Sequence, residues 1–374
     1  MTFLSVERES LERFLPGLDA HLVGVALPDM EQRGNTCLVT FRKFGGPALL
    51  VPQEYGGRGA TLLDAVRVQR AVGSRSPSLA VATTMHHFSV ASLVELTAAG
   101  NGFEWALLTA IAENSWLLSS GFAEGKPGQH ILSPTMQAVA VEGGLRVSGS
   151  KKPCSLTWSM DLISASVAVK DPSGGPDRPA IILATADSEG LERRPFWNSW
   201  ALAGAESDEV ELRDVFVPDA LVFYPQTGDT MDPIQARGFV WFELLIAASY
   251  LGAASGLAER VIGLPRASDG DKALLAIELE SASAALEHVA SIANTTVDVD
   301  HLLSRALYVR YATERCIERA AMAAAAMAGG MAFIGSSDIA YLLAVSRALA
   351  FHPPSRAGAS GPLAQHLSGA NLTL

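Results

Sequence analysis

Cysteine is scarce in this chain. Cys37, Cys154 and Cys316 are odd in number and far apart. They offer neither a disulfide framework nor a metal-ligand spacing, which points to a reducing cytoplasm. Charge is sparse and one-sided. Charged residues make up 18% of the chain, and 28 basic against 39 acidic residues leave a net charge of −11. With no basic run, nucleic acid and anionic membrane surfaces are not expected partners. Long apolar runs are missing as well, and none reaches the ~18 residues that a membrane span requires. The longest candidate, Ala320 to Ala332, is interrupted by Gly329 and Gly330. The first residues place Glu7, Arg8, Glu9 and Glu12 on a helical period, without the basic–apolar–small layout of a secretion signal.

What is present is 374 residues, 49% of them hydrophobic, enough for a large core divided into two or three subdomains. Residues 1–115 read as helices. Leu4, Leu11, Phe14, Leu15 and Leu18 form an amphipathic stripe. Pro52 and the glycines at 56, 57 and 59 break the pattern, and Thr61 restarts it. Ser76 and Pro77 read as the cap and first turn of a further helix. Residues 116–228 alternate like strands, notably 138–141, 145–148, 162–167, 181–184 and 210–212, with Gly and Pro turns between them. Short antiparallel strands of this kind predict a small barrel or sandwich. Residues 229–374 are helical again, with long helices over 272–294 and 301–327 and Gly329-Gly330 as a terminator.

Several motifs lie on this helix–sheet–helix frame. Val51-Pro52-Gln53-Glu54-Tyr55-Gly56-Gly57-Arg58-Gly59 forms a turn between early helices. Ser120 to Gln129 enters the β-region, and Gly149-Ser150-Lys151-Lys152-Pro153-Cys154-Ser155 follows. Gly204 to Pro218 includes Ser207-Asp208 and Asp214-Val215-Phe216-Val217-Pro218. In this order they resemble the acyl-CoA dehydrogenase family of flavoproteins over roughly residues 5–353. The resemblance is firmest from 49 to 218. It implies a mostly α fold with a central β-domain: an N-terminal helical domain, a small β-barrel and a C-terminal helical bundle.

The resemblance also implies FAD, held in a homodimer or homotetramer. The 120–129 loop, including Phe122, Ala123, Gly128 and Gln129, would lie along the flavin ring. Pro153, Cys154 and Ser155 would follow, with the Ser155 hydroxyl near N5. Gly329 and Gly330 would face the adenosine end from a neighbouring subunit. The sequence departs from the family pattern at Ala123, Gln129 and Pro153, where a hydroxyl residue, a serine and an aromatic are usual. Trp158 is a candidate replacement for that aromatic. It also departs at Ala326, where the family has Gln, and the family's R-x-x-F-G segment has no counterpart near 263–268. Read without the family, Lys151 and Lys152 are solvated turn charges and Cys154 is a small core residue.

Within the family, an acyl thioester on CoA or on an acyl carrier protein is desaturated, with electrons passing to an electron-transfer flavoprotein or to oxygen. That chemistry needs a positioned carboxylate whose pKa is raised in a dry pocket. One family position for it falls on Arg356, which cannot serve. The other falls on Phe242, beside Glu243. Glu243 sits in an apolar run, where a lone carboxylate is costly unless it is functional or paired. It is therefore either the base or, turned about 100° around the helix, the partner of an arginine. His352, before two prolines, raises a flavin oxidase or monooxygenase acting on a specialised metabolite, and His86 and His87 could edge a substrate pocket. A flavin-free binding homologue is the third expectation.

Overall fold

The computed structural model describes all residues except 1, 101, 126–133, 227–230 and 266. Among the described residues seven α-helices precede the sheet: α1 Ser5–Phe14, α2 Leu18–Val23, α3 Leu27–Glu31, α4 Cys37–Lys43, α5 Leu62–Arg75, α6 Pro77–Ala99 and α7 Glu104–Asn114. Their ends follow the local chemistry. Thr61 caps α5 in a reciprocal box with Asp64, the Asp64 amide donating to the Thr61 hydroxyl at 3.2 Å. Ser76 caps α6, accepting from the Leu79 amide, with Pro77 in the first turn. Gly57 allows the 49–59 turn to close, because a Cβ there would lie 1.9 Å from the Val51 carbonyl oxygen.

The β-region comprises β1 Leu118–Gly121, β2 Gln137–Val141, β3 Gly144–Cys154, β4 Leu162–Val169, β5 Arg178–Thr185, β6 Leu191–Arg194, β7 Asp208–Pro218 and β8 Val222–Phe223. They form one eight-stranded sheet in the order β6-β7-β3-β2-β4-β5-β8, with β1 beside β4. The expected purely antiparallel arrangement is corrected: β1 and β2 both run parallel to β4. Those pairings join segments distant in sequence, which local alternation does not report. Strand β3 carries register shifts between Val147 and Gly149 and again between Lys151 and Cys154. Such irregularities bend a strand and re-aim its side chains, here just before Ser155.

The C-terminal part holds α8 Pro233–Ile262, α9 Asp269–Ile292, α10 Val299–Gly335, α11 Ser337–Val345 and α12 Arg356–Leu367. Asp232 caps α8 through the Ile234 and Gln235 amides. Helix α8 is the spine of the core, packing on α5, α6 and α10. Its contact with α5 is backbone-close. A Cβ at Gly73 would lie 2.2 Å from the Ser249 carbonyl oxygen, and one at Gly252 would lie 2.4 Å from that of Arg70. The expected absence of membrane-length apolar segments is also corrected. By length and composition α8 and α10 are both long and apolar enough to cross a membrane, although α8 is buried within the protein. Helical geometry ends at Gly329, at φ 69°, as the glycine pair predicts, and a second helical segment continues past this break to Gly335.

Candidate active site

A cavity of about 380 Å³ lies where α6, α8, the sheet and the turn after α11 meet. Helix α6 contributes Phe88 and Ser89, and α8 contributes Phe239, Phe242 and Tyr250. Rings cross the cavity in an unbroken ladder. Phe122 meets Phe88 at 6.1 Å between centroids, Phe88 meets Phe242 at 5.4 Å, and Phe242 meets His352 at 6.2 Å. The sheet side is hydroxyl-rich, with Ser120, Ser155, Ser164 and Ser207. The Ser155 and Ser207 hydroxyls are 2.9 Å apart. Glu104, at the start of α7, is the one carboxylate among the described lining residues.

Of the residues expected to contact a cofactor, Phe122, Ala123, Pro153 and Ser155 line this cavity. Cys154 does not; it is fully buried in the core, and burial pushes its thiol up to about 12. Cys154 is the last residue of β3, past the register shift that follows Lys151, and its side chain packs into the core. Gly128 and Gln129 lie outside the described residues. Gly329 and Gly330 sit at the α10 kink and do not line the cavity. Trp158 is also elsewhere, donating its indole N–H to Asp208 at 2.8 Å, and Trp197 supplies an aromatic wall instead.

Lys151 is not a solvated turn charge. It is fully buried, with Nζ 2.7 Å from Glu124 Oε1. Glu124 also accepts from the Thr135 and Met136 amides, so the pair clamps the start of the 122–125 loop to β3. Asp208 performs a similar task across the molecule. It accepts from Arg33, Trp158 and the amides of Phe196 and Trp197. Burial alone would raise its pKa, but these donors outweigh burial and hold the carboxyl well below the usual range.

Glu243 is fully buried, does not line the cavity, and lies 3.1 Å from Arg310 Nε. Of the two readings offered by its sequence context, the geometry matches the arginine partner. Neither of its oxygens makes a well-aligned hydrogen bond. Burial pushes its pKa up to about 7 against the pull of Arg310. His352 does line the cavity, and its Nε2 is 2.9 Å from the Tyr250 hydroxyl. Burial and then the nearby Arg310 lower its pKa to about 3, so the ring is neutral. His86 and His87 do not edge the cavity. His86 Nδ1 accepts from the Leu118 amide and its Nε2 contacts the Pro47 carbonyl, which makes it a neutral strut between α6 and β1. His87 is buried against Phe41.

No family model matches the sequence. The chain is 43% identical to isobutylamine N-hydroxylase of Streptomyces viridifaciens over 379 residues, spanning the whole of both chains. The chain belongs to the acyl-CoA dehydrogenase superfamily, among its flavin oxidases and monooxygenases. It is also 30% identical to dibenzothiophene monooxygenase of Rhodococcus erythropolis over 222 residues, 58% of this chain and 52% of that one. Among solved structures, KijD3 in complex with FMN and a dTDP-amino-keto sugar superposes with a TM-score of 0.86 at 18% identity, covering 99% of this chain and 96% of that one. FMN-bound TdsC from Paenibacillus sp. A11-2 gives 0.79 at 18% identity, covering 98% of each chain. These structural likenesses establish the fold.

The cavity suits the tricyclic ring of a flavin. Such a ring has two apolar faces and an edge of carbonyl oxygens and ring nitrogens. The aromatic walls match the faces, and the serine hydroxyls, each both donor and acceptor, match the edge. Ser207, Tyr250 and Arg310 were not singled out from sequence. Ser207 lies inside the Ser207-Asp208 motif. Tyr250 is a polar-tipped aromatic in an apolar helix, which is a signal for a buried hydrogen bond.

Proposed function

We propose that this protein is an oxygen-using flavin monooxygenase that hydroxylates the nitrogen of a small aliphatic amine. The observation that carries the reading is the cavity itself: apolar and aromatic walls, serine hydroxyls and a neutral His352, with Glu104 the one carboxylate among the described lining residues. Full-length similarity to an amine N-hydroxylase supports it. When bound, a reduced flavin activates O2, so that one oxygen atom ends on the amine nitrogen, the other leaves as water, and the flavin is left oxidised.

The residues set the conditions. An amine attacks oxygen only with its lone pair free, and apolar surroundings disfavour the ammonium form. Phe239 and Phe242 exclude water and receive the alkyl chain. His352, neutral and anchored by Tyr250, offers a hydrogen bond rather than a charge to the nitrogen. Ser155 and Ser207 hold the flavin's polar edge. The isoalloxazine is common to FMN and FAD, and FMN is the flavin in the cited KijD3 and TdsC structures. Desaturation of an acyl thioester would require a carboxylate facing the α-carbon, and Glu243 faces Arg310 instead.

The test is aerobic turnover with externally reduced flavin and a panel of C3–C6 primary amines under 18O2. The expected product is the hydroxylamine bearing one labelled oxygen. Bleaching of bound flavin by acyl thioesters, with no oxygen-labelled product from any amine, would overturn the reading. Chromatography of the flavin that binds separates FMN from FAD. A protein that binds neither would be a flavin-free homologue.

A further inference from the structure

We propose that Arg310, neutralised by Glu243, is the positioning residue that sets the His352 ring in the cavity. The inference rests on the preceding reading, in which His352 addresses the amine, and it assigns work to two residues that do not touch the substrate.

In the turn that carries His352, its amide donates to the Leu349 carbonyl at 3.2 Å, and the two residues after it supply no such bond. Pro353 and Pro354 follow it, and neither has an N–H to donate. The turn's carbonyls instead converge on one side chain from α10. Arg310 donates through Nη1 to the Pro354 carbonyl at 2.5 Å, and through Nη2 to the carbonyls of His352 at 2.6 Å and Leu349 at 3.2 Å. The neighbouring Tyr311 hydroxyl adds a bond to the Pro354 carbonyl at 2.9 Å. A planar guanidinium with donors in a fixed fork can gather three carbonyls at once, whereas a lysine ammonium on a flexible stem cannot hold the same geometry.

A buried guanidinium is costly to desolvate unless it is neutralised. Arg310 is fully buried, and Glu243 is the carboxylate at its Nε, also fully buried. Buried ion pairs are weak sources of stability, since an apolar pair of similar volume often does as well. What this pair contributes is a conformation. With the turn pinned, the His352 ring sits between Phe242 and Tyr250, with Nε2 on the tyrosine hydroxyl. Among the described residues Nδ1 carries no hydrogen bond within the chain, which leaves it to address a molecule in the cavity.

The experiment is a mutant cycle on the flavin-loaded enzyme: wild type, Arg310→Lys, His352→Ala and the double variant. Displacing a reacting group by about 1 Å costs on the order of 10²-fold in rate, so Arg310→Lys is expected to lower kcat by about that factor, with KM and flavin affinity little changed. In the His352→Ala background the same change is expected to cost nothing further. If Arg310→Lys fails to fold, Glu243→Gln replaces it in the cycle, with a smaller kcat loss that again vanishes in the His352→Ala background.

A second readout does not depend on turnover. Imidazole 15N shifts assigned to His352 should report one neutral tautomer in wild type and an averaged ring in Arg310→Lys. Additive losses in the cycle, or unchanged rate and unchanged ring shifts, would overturn the positioning role while leaving amine hydroxylation intact. Altered ring shifts in an enzyme that oxidises no amine would instead keep the positioning role and overturn the functional reading.

Discussion

Lys151 Nζ lies 2.7 Å from Glu124 Oε1, and neither side chain reaches solvent. The pair ties the entry loop of the cavity to the strand that delivers Ser155. Breaking a buried pair by removing one partner typically costs about 3–5 kcal/mol, because the remaining charge is left uncompensated. Lys151→Met should therefore lower the melting temperature sharply. Glu124→Gln should fall at least as far: its amide keeps an acceptor for the Thr135 and Met136 amides, but the buried Lys151 ammonium loses its counter-charge, whereas Glu124 left by Lys151→Met keeps those donors. Thermal unfolding of the two variants side by side checks this order.

Ser155 and Ser207 share a hydrogen bond at the sheet wall, both at the cavity. If their hydroxyls hold the flavin's polar edge, Ser155→Ala should weaken flavin binding by one hydrogen bond, about 0.5–1.5 kcal/mol, or up to about tenfold in Kd. Fold stability should be nearly unaffected, because the side chain removed is small and Ser207 retains cavity-facing space. Flavin fluorescence titration gives the comparison, and a Kd equal to wild type would place the flavin edge elsewhere.

Stability against pH sets opposing groups against each other. Burial lowers the pKa of His86 to about 4 and of His352 to about 3, and places His87 well below its ordinary value. The unfolded chain then binds more protons than the folded one below about 6.5, the ordinary histidine value, so stability falls on acidification through that range. Glu243 works the other way. With its pKa raised to about 7, it contributes stability below its ordinary value of 4.5 and loses it as pH rises towards 7. Burial also raises Glu31 and Glu206, which act in the same direction as Glu243 against the three histidines. Glu243→Gln removes one of these opposing contributions. Its melting temperature should therefore fall more steeply over that interval than that of wild type.

Much of this architecture was legible in the sequence because it is encoded locally. The Thr61–Asp64 box, the Ser76-Pro77 cap and the break at Gly56-Gly57 depend on residues within a few positions of one another. The strands that were missed, β1, β6 and β8, are two to four residues long, too short for alternation to register. The site was legible only in part. Ser155 and Pro153 follow from a motif, whereas the core placement of Cys154 between them comes with a register irregularity in β3 that the motif does not report. The partner of Glu243 could not be read, because Arg310 lies 67 positions away on another helix. The same holds for Lys151, whose burial depends on a carboxylate brought in by the preceding loop.

The shape of the cavity makes a prediction about amines themselves. Phe239, Phe242 and neighbouring apolar side chains form a wall suited to an alkyl group. Each methylene moved from water to such a wall contributes about 0.8 kcal/mol, close to fourfold in binding. For a series from propylamine to pentylamine, kcat/KM should therefore climb about fourfold per added CH2 and then fall once the chain meets the wall. Phe239→Ala should shift that fall to a longer amine. Steady-state kinetics on the series is the check. A profile independent of chain length in both proteins would mean that the alkyl group does not sit against α8.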